Sequence, residues 1–129
     1  IIERLVDDVK TLQAEGVRVA AIMSNDYRTV RDDGPPFMRR FSEQFGMTFP
    51  YLLDEGGVVG KAYGAVCTPD FFGFNAAGEL QYRGRIDNAG MGEATNRTPE
   101  LVNAMRQIVE TGKGPQQQFP SVGCSIKWS

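Results

Sequence analysis

Cys67 and Cys124 are the two cysteines of this 129-residue chain, and thiol chemistry is what their side chains could supply. A thiolate attacks disulfides and peroxides. The chain has no histidine, which excludes Ser-His-Asp and Cys-His catalysis and removes the commonest metal ligand. Two cysteines are too few for a disulfide-rich scaffold, and their separation does not match a zinc site. We therefore expect neither a metal nor another cofactor.

Other polar patterns are weaker candidates for a site. Asp70, Asp87 and Glu93 could be assembled into an acid–base centre, but carboxylates near turns are usually solvated. The segment Asn96-Arg97-Thr98 matches a glycosylation acceptor, yet Thr98 is better explained as the cap of the helix that follows. We interpret all of these residues as structural or solvated.

The composition limits the partners. Charged residues make up 23% of the chain and the formal net charge is −2, so no excess of basic residues is available to neutralise phosphates. Arg39 and Arg40 are adjacent, but Glu43 and the pair Asp32-Asp33 flank them. Nucleic acid is therefore excluded as an expected partner. No apolar run approaches the roughly 20 residues that span a bilayer, so we expect no membrane partner.

The first helix lacks a beginning. Apolar residues recur at helical spacing from Ile1 to Leu12, and Gly16 supplies a stop. No Ser, Thr, Asp or Asn stands before Ile1 to cap the helix. We therefore expect residues before Ile1 that the chain as printed omits, and a strand that would precede this helix.

Three further helices are predicted from caps and apolar spacing. One opens at Pro35-Pro36 and ends at Gly46, one is capped by Asp54 and ends at Gly64, and one is capped by Thr98 and ends at Gly112. Their expected buried stripes are Phe37, Met38, Phe41 and Phe45; then Val58, Val59, Ala62 and Tyr63; then Leu101, Val102, Met105, Ile108 and Val109.

Extended segments alternate with these helices. The apolar run from Val17 to Met23 predicts a strand covered on both faces, and the segment from Phe49 to Leu53 predicts a short edge strand. Residues 70–74 and 79–86, joined by a turn that contains Gly78, predict an antiparallel hairpin. The order predicts a three-layer α/β domain over residues 1–112, followed by a tail over residues 113–129 without periodicity.

Three segments resemble a known family. The stretch from Phe49 to Gly64, which contains Phe-Pro, Leu-Leu-Asp and Lys-Ala-Tyr-Gly, is similar to peroxiredoxin-like proteins of the alkyl hydroperoxide reductase and thiol-specific antioxidant type. The segment from Cys67 to Phe74 resembles their proline loop. The segment from Pro120 to Trp128 resembles the tail of a bacterial subgroup of thioredoxin-like redoxins. The resemblance implies a thioredoxin-like three-layer fold: a central mixed sheet with helices on both faces, whose first central strand is absent from this chain.

The resemblance also implies roles for residues. Thr68 and Pro69 take the place of the cis-proline loop, where the backbone of Thr68 could pair with an extended substrate. The redox-active Cys-x-x-Cys of the family would lie just before Ile1, so no residue here inherits its role. Cys67, beside the proline loop, has two interpretations: an auxiliary or resolving thiol, or a small inert cysteine. For Cys124 we favour a structural role or a free thiol.

Two functions remain open on this basis. The first is a thiol-disulfide oxidoreductase or thiol peroxidase with a role in redox homeostasis, acting through cysteines upstream of this chain on protein or small-molecule thiols, disulfides or peroxide. The second is a non-catalytic thioredoxin-fold binding or scaffold module. Redoxins of related families often dimerise, which leaves a homodimer open. The cysteine usage favours the cytoplasm, although many thioredoxin-like relatives work in the periplasm.

Overall fold

The computed structural model describes residues 1–30, 33–90 and 92–129 of the chain. Within these residues helices and strands alternate through most of the chain, which confirms the α/β prediction. A 3₁₀ turn over Glu55–Gly57 leads directly into the third helix. The elements are α1 (Ile2–Ala14), β1 (Ala21–Met23), α2 (Pro35–Phe45), β2 (Tyr51–Leu53), α3 (Val58–Tyr63), β3 (Cys67–Thr68), β4 (Phe71–Phe74), β5 (Leu80–Gly84), α4 (Glu100–Thr111) and β6 (Cys124–Ser125).

The strands form three separate pairs. β1 and β2 are parallel, with Ile22 opposite Leu52. β4 and β5 form the predicted antiparallel hairpin, with an irregularity in register between Gly73 and Phe74. β3 pairs antiparallel with β6. Among the described residues no strand joins the β1–β2 pair to the β4–β5 pair, so these two pairs do not form one continuous sheet.

Helix α1 packs against the part of the structure that contains β1 and β2 and against the part that contains β4 and β5. Leu12 belongs to an apolar cluster with Tyr82 and the buried face of α4. Val6 and Val9 belong to a second cluster with Phe49. Leu5 packs against both clusters. The buried stripe of α1 therefore links the β1–β2 pair to the β4–β5 pair. Burial of apolar side chains such as these is the main favourable term in folding.

The ends of the helices follow the predicted chemistry in most cases. Gly46 and Gly112 end α2 and α4 in the left-handed conformation, which glycine adopts without a Cβ penalty. In the described residues Ile1, at the N-cap of α1, makes no side-chain capping bond, as predicted. The predicted cap of α4 is wrong: Pro99 is the N-cap, and Thr98 instead donates its backbone N–H to the Oδ1 atom of Asn88 at 2.7 Å.

Two of the predicted apolar stripes are not buried as expected. On α2 the side chain of Met38 is buried, whereas Phe37 and Phe41 are exposed. On α3 the whole predicted stripe is exposed, including Val58 at 67%, because the buried face of this short helix contains Gly60. On β1 the prediction of two covered faces is wrong, since Ile22 is 43% exposed. Periodicity identified these helices but not the faces that they bury, because the packing partners come from distant parts of the chain.

The C-terminal tail packs along the domain. Phe119 accepts a hydrogen bond from the backbone N–H of Arg85 at 3.1 Å, and Ser121 donates its hydroxyl to the carbonyl oxygen of Gly84 at 2.6 Å. Residues 124–125 then form β6, and Ile126 is buried. Sequence periodicity did not reveal this strand because it contributes only two residues to a pair.

Candidate functional site

The predicted proline loop lies between β3 and β4. The peptide bond between Thr68 and Pro69 is cis, in agreement with the family resemblance. Thr68 is exposed, and Pro69 is half-buried. Cys67 precedes them on β3, and Asp70 follows them at the start of the hairpin. One short segment thus brings together the three residues that the sequence singled out as site residues.

The environment of Cys67 disfavours its thiolate. Burial raises the pKa of this thiol, the negative charge of Asp70 raises it further, and Arg83 opposes the shift. The Sγ atom lies 3.7 Å from the carbonyl oxygen of Ser121, to which the S–H group can donate. Because the thiolate is the attacking species, Cys67 is a poor primary nucleophile in this arrangement.

Cys124 lies on the neighbouring strand but does not form a dithiol pair with Cys67. Both cysteines are free, and Cys124 is exposed. In the antiparallel pair Cys67 lies opposite Ser125, whereas Cys124 lies opposite Thr68. Residues that are directly opposite share a face, and successive residues point to opposite faces. The two thiols therefore project from opposite faces of the β3–β6 pair.

The different environments of the two thiols predict different rates of alkylation. We expect iodoacetamide at pH 7.5 to modify exposed Cys124 several-fold faster than Cys67, because Cys67 is partly shielded and its pKa is raised. A time course followed by peptide mass spectrometry measures both rates in one sample. In a denaturing concentration of guanidinium the two rates should converge. Faster modification of Cys67 in the native protein would contradict the prediction.

The three carboxylates considered for an acid–base site are held by different partners. Asp70 lies 3.4 Å from the guanidinium of Arg83, while Glu93 is exposed and accepts a hydrogen bond from the hydroxyl of Thr95. Asp70 and Asp87 correct the expectation of solvated side chains, because the Asp70 side chain is only 6% exposed and the Asp87 carboxylate is completely buried. The three carboxylates thus have separate partners, and Asp87 has a structural explanation.

Asp87 belongs to a buried ionic network of four residues, Arg4, Asp8, Asp87 and Arg97. Its Oδ2 atom accepts from Arg4 Nε at 3.0 Å and from an Arg97 nitrogen at 3.1 Å. Both carboxylate oxygens of Asp8 accept from Arg97, at 2.6 and 2.8 Å. The hydrogen bonds that Arg97 donates to Asp8 raise the pKa of Arg97 above its ordinary value. The network joins α1 to the loop before α4, and no local pattern indicates it because its members are up to 93 positions apart.

A second buried carboxylate holds the start of α3. Asp54 accepts hydrogen bonds from the hydroxyl of Ser24 at 2.8 Å and from the backbone N–H groups of Val59 and Gly60, at 3.0 and 2.8 Å. Burial alone would raise the pKa of Asp54, but these hydrogen bonds together outweigh it and lower the pKa. Gly57 is the N-cap residue of α3, but Asp54 fulfils its predicted capping role through its carboxylate, which accepts from N–H groups of the first turn.

Neither a cluster of potential metal ligands nor a membrane-spanning helix is found among the described residues. Residues 1–30, 33–90 and 92–129 contain no group of three or more Cys, Asp or Glu side chains placed to hold a metal ion. In the same residues, every helix is too short or too polar to cross a membrane.

The α/β order, the cis-proline loop and a cysteine beside it define a redoxin-like protein. The sequence matches the AhpC/TSA family over residues 1–83, which span α1 to most of β5 and include Thr68 and Pro69. This match covers well over half of the chain, and the chain therefore belongs to the AhpC/TSA family, a peroxiredoxin-like family of the redoxins.

Two solved structures are similar over nearly the whole chain. The crystal structure of an uncharacterized conserved protein from Geobacillus kaustophilus has a TM-score of 0.90 and 38% identity, with 99% of this chain and 68% of that chain covered. The crystal structure of a hypothetical protein from Sinorhizobium meliloti 1021 has a TM-score of 0.90 and 36% identity, with 100% of this chain and 71% of that chain covered. No curated protein matches the chain.

Proposed function

We propose that this protein is a thiol-disulfide oxidoreductase or thiol peroxidase of the redoxin superfamily. The observation that carries the proposal is the match to the AhpC/TSA family over residues 1–83, which includes the candidate site at Cys67, Thr68 and Pro69. The absence of histidine fits this chemistry, because thiol–disulfide exchange requires a thiolate rather than a histidine base. Its substrates are disulfides or peroxides, and its reductant is a small thiol or a thioredoxin-like protein.

The attacking thiolate in this proposal is not Cys67. Its raised pKa and its half-buried position disfavour attack. We infer that a Cys-x-x-Cys pair stands before Ile1 in the intact protein, where the N-terminus of α1 would stabilise a thiolate. That thiolate attacks one sulfur of a disulfide, forms a mixed disulfide and releases the other sulfur as a thiolate. The second cysteine then attacks the mixed disulfide, which leaves a protein disulfide and frees the remaining product thiolate.

We also infer that the two strand pairs are halves of one thioredoxin-like sheet. The support is that α1 packs against both halves through Leu5, while β1 and β4 each pair with one partner strand among the described residues. A strand placed between β1 and β4 would join the pairs into a mixed sheet. It would also lead into α1 at the end where a redox-active pair would stand.

The test compares two activities of the intact protein. The encoded residues before Ile1 show first whether a cysteine pair is present. Reduction of a small disulfide and consumption of hydrogen peroxide, each with dithiothreitol as the reductant, then separate reductase from peroxidase activity. Replacement of the first cysteine of the pair by serine should abolish whichever activity the intact protein shows. If the pair is absent and neither reaction occurs, the enzyme proposal is wrong and the chain is a binding or scaffold module.

The same assays test the role of Cys67. We expect Cys67→Ser to retain about the wild-type activity, because the environment of Cys67 disfavours its participation as a thiolate. Cys124→Ser serves as the matched control for removing a free thiol from this strand pair. Loss of most activity in Cys67→Ser alone, with a mixed disulfide accumulating during turnover, would instead establish Cys67 as a resolving thiol.

A further inference from the structure

The tail strand β6 occupies the backbone edge of the candidate site. Thr68 lies opposite Cys124 in the antiparallel register, and Ile126 donates its N–H to the carbonyl oxygen of Val66 at 3.1 Å. In an extended strand the backbone groups of residues two apart point to the same side. The N–H and C=O groups of Thr68 are therefore directed at the tail, as the C=O group of Val66 is.

The contact at this edge is close. Gly123 packs against Thr68, and a Cβ atom at position 123 would overlap the carbonyl oxygen of Thr68. Because that oxygen belongs to the backbone, it cannot rotate away as the end of a flexible side chain can. Glycine at position 123 thus allows the tail to approach β3, while Ile126, three residues later, is buried.

The residues that follow β6 contact the loop after β1. Lys127 donates its N–H to the Oδ1 atom of Asn25 at 2.8 Å and accepts at its carbonyl oxygen from the N–H of Asp26 at 2.6 Å. The ring of Trp128 lies against Gly57 and Gly60, where a Cβ atom would meet it at 2.7 and 3.3 Å. These contacts hold the residues that directly follow β6 in place.

We propose that β6 is a specificity element that restricts the site to small disulfides or peroxides. This inference rests on the proposed function, and it names the substrate class. An extended protein segment that adds to a strand edge needs the main-chain hydrogen bonds of that edge, and the tail already uses those of Thr68. A small disulfide or a peroxide requires no strand pairing, so the tail does not exclude it.

The experiment displaces the tail in the intact protein. Gly123→Ala places a Cβ atom against the Thr68 carbonyl, and a second variant ends at Pro120 and lacks β6 altogether. Val122→Ala is the matched control, because Val122 directly precedes Gly123 and its side chain is 86% exposed. Amide hydrogen exchange at Thr68 verifies the displacement, and thermal unfolding verifies that each variant folds.

Turnover is measured with insulin, as a protein disulfide, and with bis(2-hydroxyethyl) disulfide, as a small one. We expect both tail variants to raise kcat/KM for insulin relative to the small disulfide by roughly tenfold, the equivalent of one or two backbone hydrogen bonds that become available to substrate. The wild type and Val122→Ala should share the lower ratio. An unchanged ratio in Gly123→Ala and in the truncated variant would overturn the inference.

Binding without turnover separates this inference from the proposed function. A fluorescein-labelled insulin B-chain peptide should bind the two tail variants more tightly than the wild type or Val122→Ala. If neither the wild type nor any variant turns over either disulfide but this difference in binding is found, the proposed function fails while the role of β6 at the strand edge stands. If the disulfides are turned over but neither the ratio nor peptide binding changes, the proposed function stands and the tail inference fails.

Discussion

Replacement of Arg97 by alanine is expected to lower the free energy of unfolding by about 3 kcal/mol, near the low end of the cost of breaking a buried ion pair. Arg97 contacts both oxygens of Asp8 and the Oδ2 atom of Asp87. Without it, Asp8 stays in a site where it is 6% exposed and loses the cation that both of its oxygens contact. Asp87 keeps Arg4. The low end of the range applies because the Arg97 side chain is itself 18% exposed.

The matched control for Arg97 is Arg106→Ala. Arg106 forms a similar pair with Glu15, with nitrogen and oxygen 2.9 Å apart, but both side chains are well exposed. Exposed pairs contribute about 0–1 kcal/mol, because water screens the attraction. Urea unfolding at pH 7 with a shared m-value measures both variants. Equal losses in the two variants would show that the buried network has no special role in stability.

The second large effect is expected at Asp54. Asp54→Ala should lower the free energy of unfolding by about 2–3 kcal/mol, because buried donors that lose their acceptor keep their desolvation cost. The donors are the hydroxyl of Ser24 and the backbone N–H groups of Val59 and Gly60. The neighbouring Glu55→Ala is the control, since Glu55 pairs with Arg28 in an exposed position and should change the stability by less than about 1 kcal/mol.

The pH dependence gives an independent check on Asp54. Its pKa in the folded protein lies below the ordinary value of 3.8. A carboxyl group with a lowered pKa contributes stability that is fully present above its unfolded pKa and is lost as the pH falls through the folded pKa. The stability difference between wild type and Asp54→Asn should therefore be constant from pH 7 to about pH 5 and shrink below the ordinary value. A difference that grows in acid would contradict the assignment.

Several local features were predictable because they depend on neighbours in sequence. Gly46 and Gly112 end their helices by adopting a conformation that glycine favours. Asp54 caps α3 because its carboxylate reaches N–H groups five and six positions later. The hairpin of β4 and β5 forms around a short turn with Gly78 at positive φ. In each case the interacting groups are separated by a few residues, so spacing alone identifies them.

Features that depend on distant packing were not predictable. Local chemistry predicts Thr98 as the cap of α4. In the structure the backbone N–H of Thr98 instead donates to the side chain of Asn88, in the preceding loop. The predicted stripe of α3 is exposed because the helix packs through its other side, where Gly60 lies against Ser24 and Trp128. No local rule indicates which part of the chain will lie against a short helix, since that choice depends on the whole arrangement.

The family of this protein follows from its sequence alone. The cysteines, the absence of histidine and the motifs around Thr68 and Pro69 indicate a redoxin-like protein, and the AhpC/TSA match confirms the family. The tertiary structure alone decided that Cys67 and Cys124 project from opposite faces and that the tail covers the edge of Thr68. Local patterns do not specify this strand pairing, because it joins Thr68 to Cys124, which are 56 positions apart.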